Sequence, residues 1–303
     1  MSERAGMDDA GTVRLFDRQL MTERRRRRHR DRSLAASDFL YRAAAEELAD
    51  RLSVTQRDFA IALDIDDPSG HLAERLADLA NVGTVVAMSP HAELLAPTSL
   101  GFVGDEEALA LAPASLDLVV SNLSLHLTND TPGTLIQIRR ALKPDGLFSA
   151  ALLGGDSLTE LRQSLLHAET ETVGGASPRV APFPDIRDMG GLLQRAGFAL
   201  PVTDMDRLTV RYDSLFALGR DLRQMGLSNM LSERSRRPLR RETLLRAAEI
   251  YAERFADADG RVRATFEIVY LSGWVPHESQ QKPLRPGSAK ASLKDALSPG
   301  NGS

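Results

Sequence analysis

The chain predicts an α/β fold with a mostly parallel sheet, an antiparallel last strand, N-terminal helices and a helical insertion before that strand. Three observations carry this. Apolar runs of strand length alternate with helix-period segments from Phe59 to Leu153, the pattern of right-handed β–α–β crossovers. The first run, 59–65, passes through a turn into a helix, an arrangement that places a ligand at the carboxyl ends of the strands. Two late strands, at 198–204 and 265–272, flank a charged helical stretch, so the last one is expected to return antiparallel and fill a gap.

In chain order, 1–12 is small and polar and is expected to be disordered. A helical region over 13–56 follows, with Val13, Leu15, Phe16, Leu20 and Met21 at amphipathic spacing and then an arginine run from Arg24 to Arg30 interrupted only by His29. Those cations cannot all share one face. They are either a solvated helix surface or a contact for an anionic membrane, RNA or an acidic protein; the absence of interleaved aromatics makes RNA the weakest of these. A second helix spans 39–52.

The ligand-binding core is expected over 57–155. It has strands at 59–65, 83–88, 101–103, 116–121 and 146–153, and helices at 71–79 and 131–142. Lys143–Gly146 reads as a turn, with proline fixing φ and glycine permitting a positive one. The second half of the sheet occupies 156–275: helices at 157–170 and 185–196, a Gly/Pro-rich loop at 173–184, and the helical insertion at 213–255, broken at Ser235–Pro238. An extended tail covers 276–303.

Composition excludes several classes. With 303 residues and 42% hydrophobic content the chain can bury a large core, and a formal charge of −4 makes no global case for nucleic acid. The absence of cysteine removes disulfides, thiolate metal sites and a cysteine nucleophile, and fits a reducing compartment. No apolar run nears the ~20 residues of a membrane helix, and Asp8 and Asp9 sit where a targeting segment would lack acids. The expected location is cytoplasmic, with peripheral attachment to the inner membrane through Arg24–Arg30 as a further option. The six histidines are scattered without HxD or HxxxH spacing, so no sequence-local iron site is expected.

Four strings carry a resemblance: SLDLVVSNLSLHLTND at 115–130, QIRRALKPDGLF at 137–148, LLGGDSLTELRQSL at 152–165 and GWVPHESQQKP at 273–283. Their order resembles the Rossmann-like class I S-adenosylmethionine-dependent methyltransferases. More narrowly, from about Leu15 to Leu293, the chain is similar to the mitochondrial complex I assembly factor 5 family and its alphaproteobacterial relatives. The resemblance implies a methyltransferase-like protein acting on a subunit or assembly intermediate of the respiratory NADH–quinone oxidoreductase, with arginine hydroxylation rather than methyl transfer associated with the mitochondrial member. The malonyl-acyl-carrier-protein methyltransferase of biotin synthesis resembles only the central domain and is the third choice.

The same resemblance marks an S-adenosyl-L-methionine site over Asp64, Asp66, Gly70, Ser89, Asp105, Glu106 and Ser121. It departs from the family pattern twice. Where three alternate glycines should follow Asp64 stand Asp66, Pro68 and Gly70; a plain β–α turn capped by Ser69 explains them equally. Where an acid should grip the ribose stands Ser89, which makes at most one such bond well. Asp105 and Glu106 keep the acid expected near the adenine, unless they are simply solvated loop residues.

On the substrate side, His126 follows a buried strand and is a candidate acid, base or ligand, or else a histidine that only fixes its loop. Asp156, after two glycines, is placed to hold a guanidinium, or else it or Ser157 caps a helix. Asn129 and Asp130 are expected to cap the helix that follows them. Trp274, His277, Glu278 and Gln280 form either a docking epitope or a fold-back of the tail. A catalytically silent binding factor with the same fold remains the alternative to an enzyme.

Overall fold

A computed structural model describes residues 14–30, 38–95 and 100–280. The expected disordered start, Val13 and most of the tail lie outside these. The sheet has seven strands: β1 (Phe59–Ile65), β2 (Val82–Ser89), β3 (Gly101–Val103), β4 (Leu116–Asn122), β5 (Leu142–Leu153), β6 (Ala199–Tyr212) and β7 (Val262–Trp274). Their spatial order is β3-β2-β1-β4-β5-β7-β6. The first five pair in parallel, and β7 runs antiparallel between β5 and β6, as the late-strand pattern predicts.

Helices cover both faces: α1 (Arg18–Arg30), α2 (Phe39–Ser53), α3 (His71–Ala77), α4 (Thr131–Ala141), α5 (Thr159–Val173), α6 (Ile186–Arg195), α7 (Leu215–Gln224) and α8 (Arg241–Phe255). The central strands are continuously apolar because alternate residues feed opposite cores. In β5, Leu147, Ala151 and Leu153 join the core built with α2, α5 and α8. Phe148, Ala150 and Leu152 join the one under α4 and α6.

Several boundaries differ from the sequence reading, each for a physical reason. The 143–146 segment is a bulge inside β5 rather than a turn before it, and the positive φ, 63°, falls on Asp145 instead of Gly146. β6 extends to Tyr212 because it is the edge strand: its outer positions, among them Asp204, Asp206 and Arg211, are charged, which hides the strand period and protects the edge from pairing. The insertion is helical only in α7 and α8; 225–240 has no helix. The first helix begins at Arg18, and Phe16 instead bridges to Leu231.

Asp130 caps α4 through a 2.9 Å bond from the Gly133 amide, whereas Asn129 leaves the cap and holds both backbone groups of Phe16, at 2.8 and 3.2 Å. The tail folds back. Gln280 donates to Asp145 at 2.9 Å and to the Val275 carbonyl at 2.8 Å, at the end of the sheet remote from the ligand edge.

Candidate active site at the carboxyl edge of the sheet

The carboxyl ends of β1, β2, β3 and β4 meet under α1. Asp64 is buried near the end of β1 and one carboxylate oxygen has no hydrogen-bond partner. Burial, then the charges of Asp67 and Asp66, push its carboxyl far above the usual carboxylate range. Glu106, after β3, is fully buried; its Oε1 accepts from Arg18 at 2.9 Å while Oε2 is unpartnered. Asp105 faces outward, 2.7 Å from Arg18. Ser89 is buried at the end of β2.

Gly70 takes a φ of 76°, and a Cβ there would meet nothing within 4 Å. The turn before it is capped chiefly by Asp67, whose carboxylate accepts from the Leu72 amide at 2.8 Å; Ser69 contributes only a long bond to His71 at 3.3 Å. Asp66, where a glycine was expected, holds a left-handed φ of 52° and lies 1% exposed. Such a conformation is uncommon for a residue with a Cβ.

Asp66 is held there by Arg25. The guanidinium of this fully enclosed arginine is ion-paired to Asp66, and burial raises the Asp66 carboxyl against the pull of that partner. Sequence reasoning missed this contact, since Arg25 lies in a run whose members look alike. Two neighbours of Arg25 in the run are engaged as well. Arg24 donates to the Asn229 carbonyl at 2.6 Å, Arg26 pairs with Glu93, and Arg18 spans Asp105, Glu106 and Glu107. Within the run expected to reach a membrane, Arg24, Arg25 and Arg26 are engaged by the chain's own groups, while Arg27, His29 and Arg30 are exposed.

Packing fixes α1 as firmly as charge does. The Asp17 amide donates to the Met230 carbonyl at 2.8 Å, the Ser232 amide to the Leu15 carbonyl at 2.9 Å, and Phe16, Met21, Leu127, Met230 and Leu231 form a small core of their own.

Ser121, at the end of β4, has a local structural partner set: its hydroxyl lies 2.8 Å from that of Ser124, and both reach the Ile65 carbonyl. His126 sits in the short 3-10 turn Leu125–Leu127. It is buried, both ring nitrogens lack a partner, and the ring lies 5.8 Å from that of Phe183. No backbone bond fixes the loop through the imidazole. Burial, with the Arg25 charge second, lowers its pKa to about 3, so the ring is neutral at physiological pH.

Asp156 is not brought to His126. It is exposed, 2.5 Å from Arg207 on β6, and that guanidinium also reaches Glu267 at 3.3 Å. Neither Asp156 nor Ser157 caps α5: its N-cap is Leu158, and the Ser157 hydroxyl bonds the Glu267 backbone at 3.0 Å. Gly154 is needed for this corner, since a Cβ there would run into Glu267 and stand 2.8 Å from Val269. Gly154→Ala is expected to cost about 1–3 kcal/mol by forcing that contact apart, read from the urea unfolding midpoint. Among the described residues, no three His, Asp or Glu side chains converge as metal ligands, and no helix is long and apolar enough to cross a membrane.

The comparisons with known proteins follow this geometry. A family model described as a methyltransferase domain matches residues 63–150. The arginine-hydroxylase NDUFAF5, mitochondrial, of Mus musculus is 40% identical over 296 residues, covering 95% of this chain and 85% of that protein.

The chain belongs to the arginine-hydroxylase NDUFAF5 family.

A malonyl-[acyl-carrier protein] O-methyltransferase from Methylovorus sp. (strain MP688) is 32% identical over 301 residues, covering 93% of this chain and 95% of that protein. The expectation that this second relationship stops at the central domain is thereby corrected: a lower identity spreads over the whole chain. A Bacillus halodurans protein provisionally assigned as a methyltransferase superposes with a TM-score of 0.54 at 16% identity, covering 78% of this chain and all of that one, which shows the fold alone. The unpartnered buried oxygens of Asp64 and Glu106 are acceptors of the kind that the hydroxyls and amine of an adenosyl ligand would complete, the left-handed Gly70 has open space beside it, and Asp66, paired with Arg25, stands at one of the positions where the family pattern has a glycine.

Proposed function

We propose that the chain binds S-adenosyl-L-methionine at this edge and modifies an arginine of a respiratory NADH–quinone oxidoreductase subunit or assembly intermediate, inside the compartment where that complex is built. Nearly full-length similarity to proteins named arginine-hydroxylase supports the substrate class. The observation that carries the ligand is the pair of buried, unpartnered carboxylate oxygens on Asp64 and Glu106, because such groups are retained where a ligand completes them. Asp64, Ser89 and Glu106 would hold the adenosyl part, with Asp105 outside them, and Gly70 leaves room for it. Arg25 supplies positive charge for a ligand carboxylate, and Ser121 stiffens the edge from below. His126 and Asp156 stay as the substrate-side candidates, Asp156 as the guanidinium acceptor once Arg207 is displaced, and His126 as a neutral hydrogen-bonding group for an uncharged part of the substrate, away from the guanidinium. When bound, the cofactor would supply an electrophilic sulfonium centre, which serves methyl transfer to the arginine; hydroxylation of the arginine would instead draw on dioxygen and two electrons from a reductant.

A second reading, a binding factor without turnover, is favoured by one observation: the Arg25–Asp66 pair occupies the turn. Calorimetry with S-adenosylhomocysteine separates the two. The enzyme reading expects micromolar binding, weakened about tenfold or more by Asp64→Ala, which removes a buried hydrogen-bonding group. No heat at millimolar ligand leaves the binding factor. The malonyl ester reading ranks third on its lower identity.

A further inference from the structure

A hollow opens beside His126. It has a volume of about 150 Å³ and is walled by Phe16, Leu153, Phe183, Leu222 and Met230, with the imidazole of His126 in its lining. Its other polar side chains are Arg179, Asn229 and Ser228, and the two larger ones are already engaged. Arg179 is paired with Glu169 at 2.6 Å, and Asn229 donates to the Pro178 carbonyl at 2.7 Å while accepting from the Leu231 amide at 3.1 Å. His126 differs: it is 6% exposed, and neither ring nitrogen has a partner. A buried polar group left open in an otherwise apolar hollow normally marks where something else completes it.

We infer that this hollow binds an uncharged six-membered ring carrying a hydroxyl, a phenol-like group whose hydroxyl bonds His126. Size favours one ring, since an apolar cavity of this order accommodates benzene. The walls favour an aromatic one, with Phe183 beside the imidazole. Charge selects against a cation. Arg179 stands in the lining with its acid, Glu169, already committed, and among the described residues no Asp or Glu lines the hollow, so a guanidinium entering here would meet like charge and no free carboxylate. A hydroxyl can donate or accept, and so satisfies either tautomer of a neutral imidazole. The inference goes beyond the proposed function and does not depend on it, because the hollow needs no adenosyl ligand to be filled.

The test titrates the full chain, without adenosyl ligand, with p-cresol, toluene, N-acetyltyrosinamide and ethylguanidinium, following the His126 ring by NMR and binding by calorimetry. Binding of p-cresol is expected to be about tenfold tighter than that of toluene, the worth of one buried hydrogen bond. His126→Leu should abolish that preference while leaving toluene binding within about twofold, which also shows that the variant is folded. Ala181→Phe, which fills the hollow without replacing the imidazole, should remove both ligands. N-acetyltyrosinamide matching p-cresol would assign the ring to a polypeptide side chain, and p-cresol binding alone to a free small molecule; either supports the site. The inference is overturned if p-cresol and toluene bind the parent equally, if His126→Leu keeps the preference, or if ethylguanidinium competes. Because S-adenosylhomocysteine is absent throughout, a failure here leaves the cofactor reading untouched, and the reverse holds too.

Discussion

Replacing Arg25 with leucine is expected to lower stability by about 3 kcal/mol at pH 8, because it leaves Asp66 buried beside the raised carboxyl of Asp64 with no counter-charge. The loss should shrink as pH falls. Without Arg25 the folded-state pKa of Asp66 moves further above its unfolded value, so the folded state holds the extra proton, and stability declines as pH rises through the window above ~4. At pH 5 the deficit is therefore smaller than at pH 8. Asp66→Asn in the same chain should restore most of the lost stability, since it removes the charge and keeps the shape. Urea unfolding of the parent, both single variants and the double variant measures the coupling. A single variant within about 0.5 kcal/mol of the parent would show that α1 is not docked through this pair, and the description of the arginine run would fall with it.

The second large effect is acid sensitivity at His126. Its folded pKa of about 3 lies below the unfolded value, so the unfolded chain binds the proton first and stability falls as pH drops from ~6.5 towards 3. The slope is roughly 1.4 kcal/mol per pH unit, giving a loss of about 4–5 kcal/mol at the acid end. Asp64 and Asp66, whose carboxyls are raised, work in the opposite direction over the same range. The measurement is thus the difference between the parent and His126→Leu at pH 7, 6, 5 and 4. The variant should start about 1 kcal/mol less stable, from lost packing, and overtake the parent at about pH 5.8. Parallel curves would mean that the imidazole is hydrated or already bonded in solution, which would also weaken the case for a ligand beside it.

These two residues illustrate what could be read from the chain and what could not. His126 was visible because it follows a buried strand in a parallel sheet, and strand order alone puts such a residue at the ligand edge. Its neutral state was not visible, since that depends on Phe183 and Arg25, which are distant in sequence. Asp156 was also placed at the right edge, but its partner Arg207 comes from β6, where the polar alternation of an edge strand conceals even the element. The glycine turn was seen to be altered; that an arginine from α1 fills the alteration was not.

The sequence alone determined the sheet, its parallel core and the returning last strand, because hydrophobic period and local turn chemistry are written in neighbouring residues; the family showed through the resemblance of four strings. Only the tertiary structure decided which partners hold Arg24, Arg25 and Arg26, which acids stay unpartnered and which hollow opens beside His126. The physical reason is distance. Charge pairing and cavity shape are set by side chains that meet across elements: Arg25 lies 41 positions from Asp66, and Asp156 lies 51 from Arg207.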